Sequence, residues 1–147
     1  MPDLAFRVLG ALQLEISNQV PKERIRGIQL HCQIHIETAR RHYTDTERDR
    51  LRALFGEPEL WRQSLRSMFW ANITLEVPGF TGSTIVDLPI PCTERREYFD
   101  VLEPGDVPLI LFFSGTVFYE TPAGALQVAP IPWSSEARFL LPMEVRA

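Results

Sequence analysis

Ile28-Gln29-Leu30-His31-Cys32-Gln33-Ile34-His35-Ile36-Glu37 alternates apolar and polar side chains along its whole length. A period of two sends successive side chains to opposite faces of an extended chain, so the stretch reads as a β-strand with one face buried and one wetted. Cys32 falls on the buried face with the aliphatics, and His31, Gln33, His35 and Glu37 fall on the wet one. A one-sided pattern of this kind belongs to an antiparallel sheet.

Upstream, Leu4, Phe6 and Val8, then Leu12, Leu14 and Ile16, read as an opening hairpin broken at Gly10, and Asn18 to Lys22 turns the chain into the alternating strand. Downstream the period changes. Thr44 can cap a helix whose Glu47 reaches back to close a capping box, with Asp45 and Asp49 at the positive end of the dipole. Leu51, Leu54 and Phe55 supply the apolar stripe, Gly56 a left-handed stop, and Pro58 the start of a second short helix with Trp61 and Leu65 inward. The expectation is a helical hairpin over about residues 44–66, inserted between strands.

The two-residue period returns at Met68, with Phe69, Ala71, Ile73, Leu75 and Val77 on one side and Trp70, Asn72, Thr74 and Glu76 on the other. Turn residues from Pro78 to Ser83 end that strand. Thr84 to Leu88 makes a short strand, and Glu94 to Leu102 fits either a helix or irregular chain. Leu109 to Tyr119 is apolar on both faces and is therefore expected in mid-sheet with cover on each side. Leu126, Val128 and Ile131, interrupted by Pro130 and Pro132, suit only an edge strand. Ala137, Phe139 and Leu141 read as a last strand. Short strands with turn signals between them, one helical insertion and no repeat specify a mainly β protein: an antiparallel β-sandwich. An open barrel is the alternative, and a single crossover excludes a doubly wound α/β fold.

At 147 residues, with 45% apolar and 23% charged side chains, the chain is sized for one globular domain, residues 1–147. Acidic residues outnumber basic ones, giving a net charge of −4, which argues against a nucleic-acid binder. The run Val107 to Phe113 falls far short of the roughly 20 apolar residues that span a bilayer, and the start of the chain lacks a basic n-region. No membrane insertion is expected, and the cytoplasm is the expected compartment. Two cysteines, Cys32 and Cys92, are not a disulfide framework.

Motifs for chemistry are sparse. His31 and His35 lie about 13 Å apart on an extended strand, at about 3.3 Å per residue, and cannot share one ion. A metal site would need His35 with Glu37 or a cross-strand Glu76. Gly79-Phe80-Thr81-Gly82-Ser83 lacks the lysine and helix start of a P-loop and reads as a turn. Gly115, within a greasy strand, marks a bulge or a close backbone approach. Asp87 is read as hydrogen-bonding the neighbouring loop. Arg40-Arg41-His42-Tyr43 is the one concentrated positive segment, placed where Asp45, Glu47 and Asp49 can neutralise it locally. Aromatics on surface segments mark protein interfaces, and Phe80, Trp61, Trp70 and Trp133 lie in or near such segments. Arg40, Arg41, Tyr43, Trp61, Phe80 and Trp133 form the candidate interface set. No catalytic, cofactor-binding or metal-ligating residue is assigned, and no cofactor is expected.

Several segments together resemble a bacterial family of unknown function: His31-Cys32-Gln33-Ile34, Arg40-Arg41-His42-Tyr43, Phe55-Gly56-Glu57-Pro58 with Trp61, Val77 to Ser83 continuing to Val86-Asp87-Leu88-Pro89, Pro91-Cys92-Thr93, Leu111 to Phe118, and Pro132-Trp133. They follow one another over nearly the whole chain. Relatives are longer between the opening strand and Ile25 and between Thr93 and Val107. That family is encoded near nickel-iron hydrogenase genes, and the resemblance implies an accessory, maturation or structural role with a hydrogenase subunit or assembly factor as partner. It transfers no functional residues. The expected function is a non-catalytic protein-binding module. The alternatives are a small ligand- or metal-binding enzyme using the polar face from His31 to Glu37, and a self-associating homo-oligomer.

Overall fold

A computed structural model describes residues 1–20, 22–55, 68–89, 96–132 and 134–143. Among the described residues, eight strands and two α-helices appear in the order β1 (Leu4–Leu9), β2 (Gln13–Asn18), β3 (Arg24–Ile36), α1 (Asp45–Phe55), β4 (Met68–Phe80), β5 (Ser83–Asp87), α2 (Arg96–Asp100), β6 (Gly105–Glu120), β7 (Leu126–Pro130) and β8 (Glu136–Met143). They form two sheets. The smaller runs β1-β2-β5; the larger runs β4-β3-β6-β7, with β8 also paired to β6. The chain is thus mainly antiparallel β, as its two-residue period requires.

The chain divides into two compact units. The first, Met1–Gln33, Asn72–Ile90 and Leu111–Arg138, holds the whole smaller sheet together with β7 and parts of β3, β4 and β6. Its core is built as the alternation demands: Leu14 and Ile16 from β2 and Leu30 and Cys32 from β3 are almost fully buried. Between the layers the Phe6 ring stacks on Phe113, centroids 4.2 Å apart and planes 8° from parallel, which fixes β1 over β6. The stacked layers make this unit a β-sandwich. The second unit, Ile34–Ala71, Pro91–Ile110 and Phe139–Ala147, has Leu51 of α1, Tyr98 of α2, Ile34, Ile36, Val107 and Leu109 among its buried residues.

The pattern of β3 breaks once. Ile25 and Ile28 are both buried, so one residue too many lies between them for strict alternation, and Gly27 absorbs the irregularity. Opposite this point β4 continues to Phe80, three residues beyond the expected end at Val77. A Cβ at Gly79 would sit 2.8 Å from the Arg26 carbonyl oxygen, so only glycine lets the two backbones meet there. The turn shrinks to Thr81-Gly82, with Gly82 at φ +79°. Phe80 accordingly is a half-buried strand residue, not a loop aromatic.

Trp70 also departs from the expected surface position: it is buried against Phe99 of α2, with ring centroids 5.1 Å apart. Met68 and Trp70 share the parity of the exposed Asn72 and Thr74 but are buried, Trp70 under Phe99 of α2, while Phe69 is left 39% exposed. Helix α1 begins as the capping box specifies. The Thr44 amide donates to Glu47 Oε1 at 2.8 Å and the Glu47 amide donates to Thr44 Oγ1 at 3.1 Å. The second helix of the expected hairpin, with Trp61 and Leu65, lies outside the described residues, as do Cys92 and Trp133. β6 occupies the expected mid-sheet place between β3 and β7, and β7 lies at the expected edge.

Cys32 is a free thiol, 1% exposed, and burial pushes its pKa up to about 12. The thiolate that reacts with electrophiles is therefore scarce at neutral pH. Iodoacetamide labelling mapped by peptide mass spectrometry is expected to leave Cys32 unmodified in native buffer and to modify it fully in 8 M urea; appreciable native labelling would contradict its place in the core.

Candidate functional site

The positive segment after β3 turns inward at its second residue. Arg40 is exposed and pairs with Glu37 at 3.4 Å, a contact of small energetic weight at this exposure. The Arg41 side chain is only 6% exposed. One of its Nη atoms donates to Glu47 Oε2 at 2.9 Å and to the Glu103 carbonyl at 3.0 Å, and the other donates to the Asp106 carbonyl at 2.6 Å. Its Nε finds no partner among the described residues. Glu47 is 1% exposed and also accepts the Glu103 amide at 2.8 Å. Burial pushes the Glu47 carboxyl up, but the Thr44 amide, the Arg41 guanidinium and the Glu103 amide together outweigh it and hold the group below the ordinary carboxylate range. Tyr43 donates to the Thr38 carbonyl at 2.7 Å and shares a 2.6 Å contact with the Tyr98 hydroxyl. Burial raises both phenols. This cluster ties α1 to the loop before β6: local charge pairing carried into the interior, with Arg41 and half-buried Tyr43 committed to that role and Arg40 and His42 left at the surface.

On the wet face of β3, His31 meets Thr74 Oγ1 at 3.3 Å and His35 stands edge-on to Phe69 with centroids 5.6 Å apart. Burial lowers the His35 pKa. Among the described residues no three His, Cys, Asp or Glu side chains converge as a metal site would. Asp87 accepts from Gln13 Nε2 at 3.1 Å, directly across the β2–β5 register, so its partner is the adjacent strand and not a loop.

A concave feature of the first unit lies at its open edge. A cleft of about 450 Å³ separates Pro2 to Phe6 from the strand pair β6–β7 and the turn that follows β7. Val117, Ala129 and Ile131 form its floor, and all three are buried. Asp3 and Glu136 stand at its exposed rim. Beside it, on the outer face of β7, Leu126 is 63% and Val128 59% exposed, side by side with Glu120 and the half-buried Phe118 in the β6–β7 register.

Among the described residues neither bordering strand has a partner on its outer edge. The Gln19 amide donates to the Asp3 carbonyl at 2.8 Å, which makes 3 and 19 a hydrogen-bonded pair of the β1–β2 ladder. By alternation Ala5 and Arg7 face β2, and the amides and carbonyls of Leu4 and Phe6 face away from it, into the cleft. The Ile131 amide donates to Gly115 and the Thr121 amide to Ala125, at 2.9 Å each, so the outward row of β7 is Leu126, Val128 and Pro130. An exposed row of this kind is a template for pairing with another chain.

A family model matches residues 2–147 and describes a family of unknown function, DUF6084. The chain belongs to the DUF6084 family. No curated protein and no solved structure matches. In this DUF6084 chain the sequence marks β7 as an edge but not the cleft beside it. The two walls lie more than a hundred residues apart in sequence, and only the prolines Pro2, Pro130 and Pro132, which sheets tolerate at edges, hinted at it. Among the described residues no helix is long and apolar enough to cross a membrane.

Proposed function

We propose that this protein is a non-catalytic, cytoplasmic protein-binding module of bacteria that serves a nickel-iron hydrogenase or its maturation. The observation that carries the reading is the open edge of the first unit: backbone on β1 and β7 unpaired among the described residues, a cleft between them, and the solvent-facing aliphatics Leu126 and Val128. Sheet edges bind partners through main-chain hydrogen bonds, with side-chain pockets adding selectivity. The hydrogenase assignment comes from the resemblance through gene neighbourhood and names the first partners to test.

The test is affinity purification of the tagged protein co-expressed with nickel-iron hydrogenase subunits and maturation factors, the partners that the resemblance implies. Retention of a defined subunit through a 500 mM salt wash is the expected result, and Val128→Glu is expected to reduce that retention at least tenfold. A protein that elutes alone at every salt concentration would refute the reading.

A further inference from the structure

Resting on the protein-binding reading above, we propose that the cleft beside β1 receives an extended, cationic segment of a partner protein as a fourth strand of the smaller sheet. The stacking of Phe6 on Phe113 places β1 over β6, and β7 is the next strand outward from β6. Among the described residues nothing in the smaller sheet covers β7. The cleft is that missing place: its wall is the open edge of β1, and its floor is the inward side of β6 and β7 at Val117 and Ala129, which face each other in register. A strand laid there would hydrogen-bond to Leu4 and Phe6 and set alternate side chains onto the floor.

The same overhang selects the occupant. A second copy of this chain pairing β1 with β1 would bring its own underlying β6 into the position that β7 fills, so a whole sandwich cannot enter and a single extended segment can. Charge selects further. Both charged residues lining the cleft, Asp3 and Glu136, are acidic, and the chain carries a net charge of −4. Glu136 is paired with Arg138 at 3.6 Å, but both side chains are about half exposed, and such a contact exchanges readily for an incoming lysine or arginine. The small Ala129 side chain leaves room above the floor for the segment's own apolar residues.

Two variants probe the site in full-length protein against an array of random nine-residue peptides. Leu4→Pro removes an amide that faces the cleft and leaves the β1–β2 ladder intact. Asp3→Lys/Glu136→Lys reverses the rim at two exposed positions that no core contact depends on. Bound peptides are expected to be enriched in lysine or arginine flanked by aliphatics, and both variants are expected to lose at least tenfold in binding. Peptides without cationic enrichment, binding that survives in the double-lysine variant, or no peptide binding at all would overturn the proposal. Hydrogenase-subunit retention measured on the same proteins separates the two ideas. Retention that persists in both variants places the contact elsewhere and leaves the module reading standing, whereas absence of retention in the unmodified protein removes that reading itself.

Discussion

Gly115→Ala is expected to destabilise the protein by about 4 kcal/mol, enough to approach the whole stability of an ordinary domain. Two costs add. Gly115 sits at φ +136°, where an L-residue is strained by roughly 1–3 kcal/mol. A Cβ there would also overlap the carbonyl oxygen of Gln29 on the neighbouring strand, and moving packed backbone costs about another 1–3 kcal/mol. Two glycines serve as controls. Gly124 has φ +87° with nothing within 4 Å, so its alanine variant carries only the conformational cost of about 1–2 kcal/mol. Gly10 has neither problem, and its variant should unfold with the unmodified protein. Urea midpoints at constant slope measure the series. If Gly115→Ala falls within 1 kcal/mol of Gly124→Ala, the close approach of β6 to β3 is not as described.

Arg41→Met is expected to cost about 3–5 kcal/mol at pH 7, because it leaves the Glu47 carboxylate buried without its cation. Its signature is the pH dependence. In the unmodified protein Glu47 is held below the 4.5 of a free glutamate, so the unfolded chain takes up the proton first. The stabilisation is therefore complete above about pH 4.5 and is lost as pH falls through the folded value. Without the guanidinium, burial is opposed only by the Thr44 and Glu103 amides, so the Glu47 pKa rises relative to that in the unmodified protein. The variant is therefore closest to the unmodified protein in acid and falls away as pH rises. Urea midpoints from pH 3 to 7 should diverge with pH, and Glu47→Gln should remove the Glu47 contribution from both branches. Parallel curves for Arg41→Met and the unmodified protein would show that the pair is not coupled in the folded state.

The elements whose pattern is local were legible. The alternation from Ile28 to Ile36, the Thr44–Glu47 capping box and the two-faced hydrophobicity of β6 each follow from a period or a spacing that acts over a few residues. What escaped depends on contacts between distant segments. Trp70 is buried because α2 lies over one end of β4, and no window around residue 70 contains that helix. Arg41 is next to Arg40 in sequence but faces Glu47 and the carbonyls of Glu103 and Asp106. β4 outlasts its turn signal because Gly79 meets β3 too closely for any other residue. The cleft shares this cause, being defined by two strands that the chain reaches only at its opposite ends.

A row of unpaired amides flanked by Leu126 and Val128 is also what one molecule needs to stick to the next in fibrils. The outward row of β7 stops at Pro130, which offers a carbonyl but no N–H, so a copy adding there could pair over only two outward residues. Proline at this position acts as a gatekeeper: it keeps the edge too short to polymerise, and Pro130→Val should yield protein that grows thioflavin-positive aggregates on concentration where the unmodified protein does not.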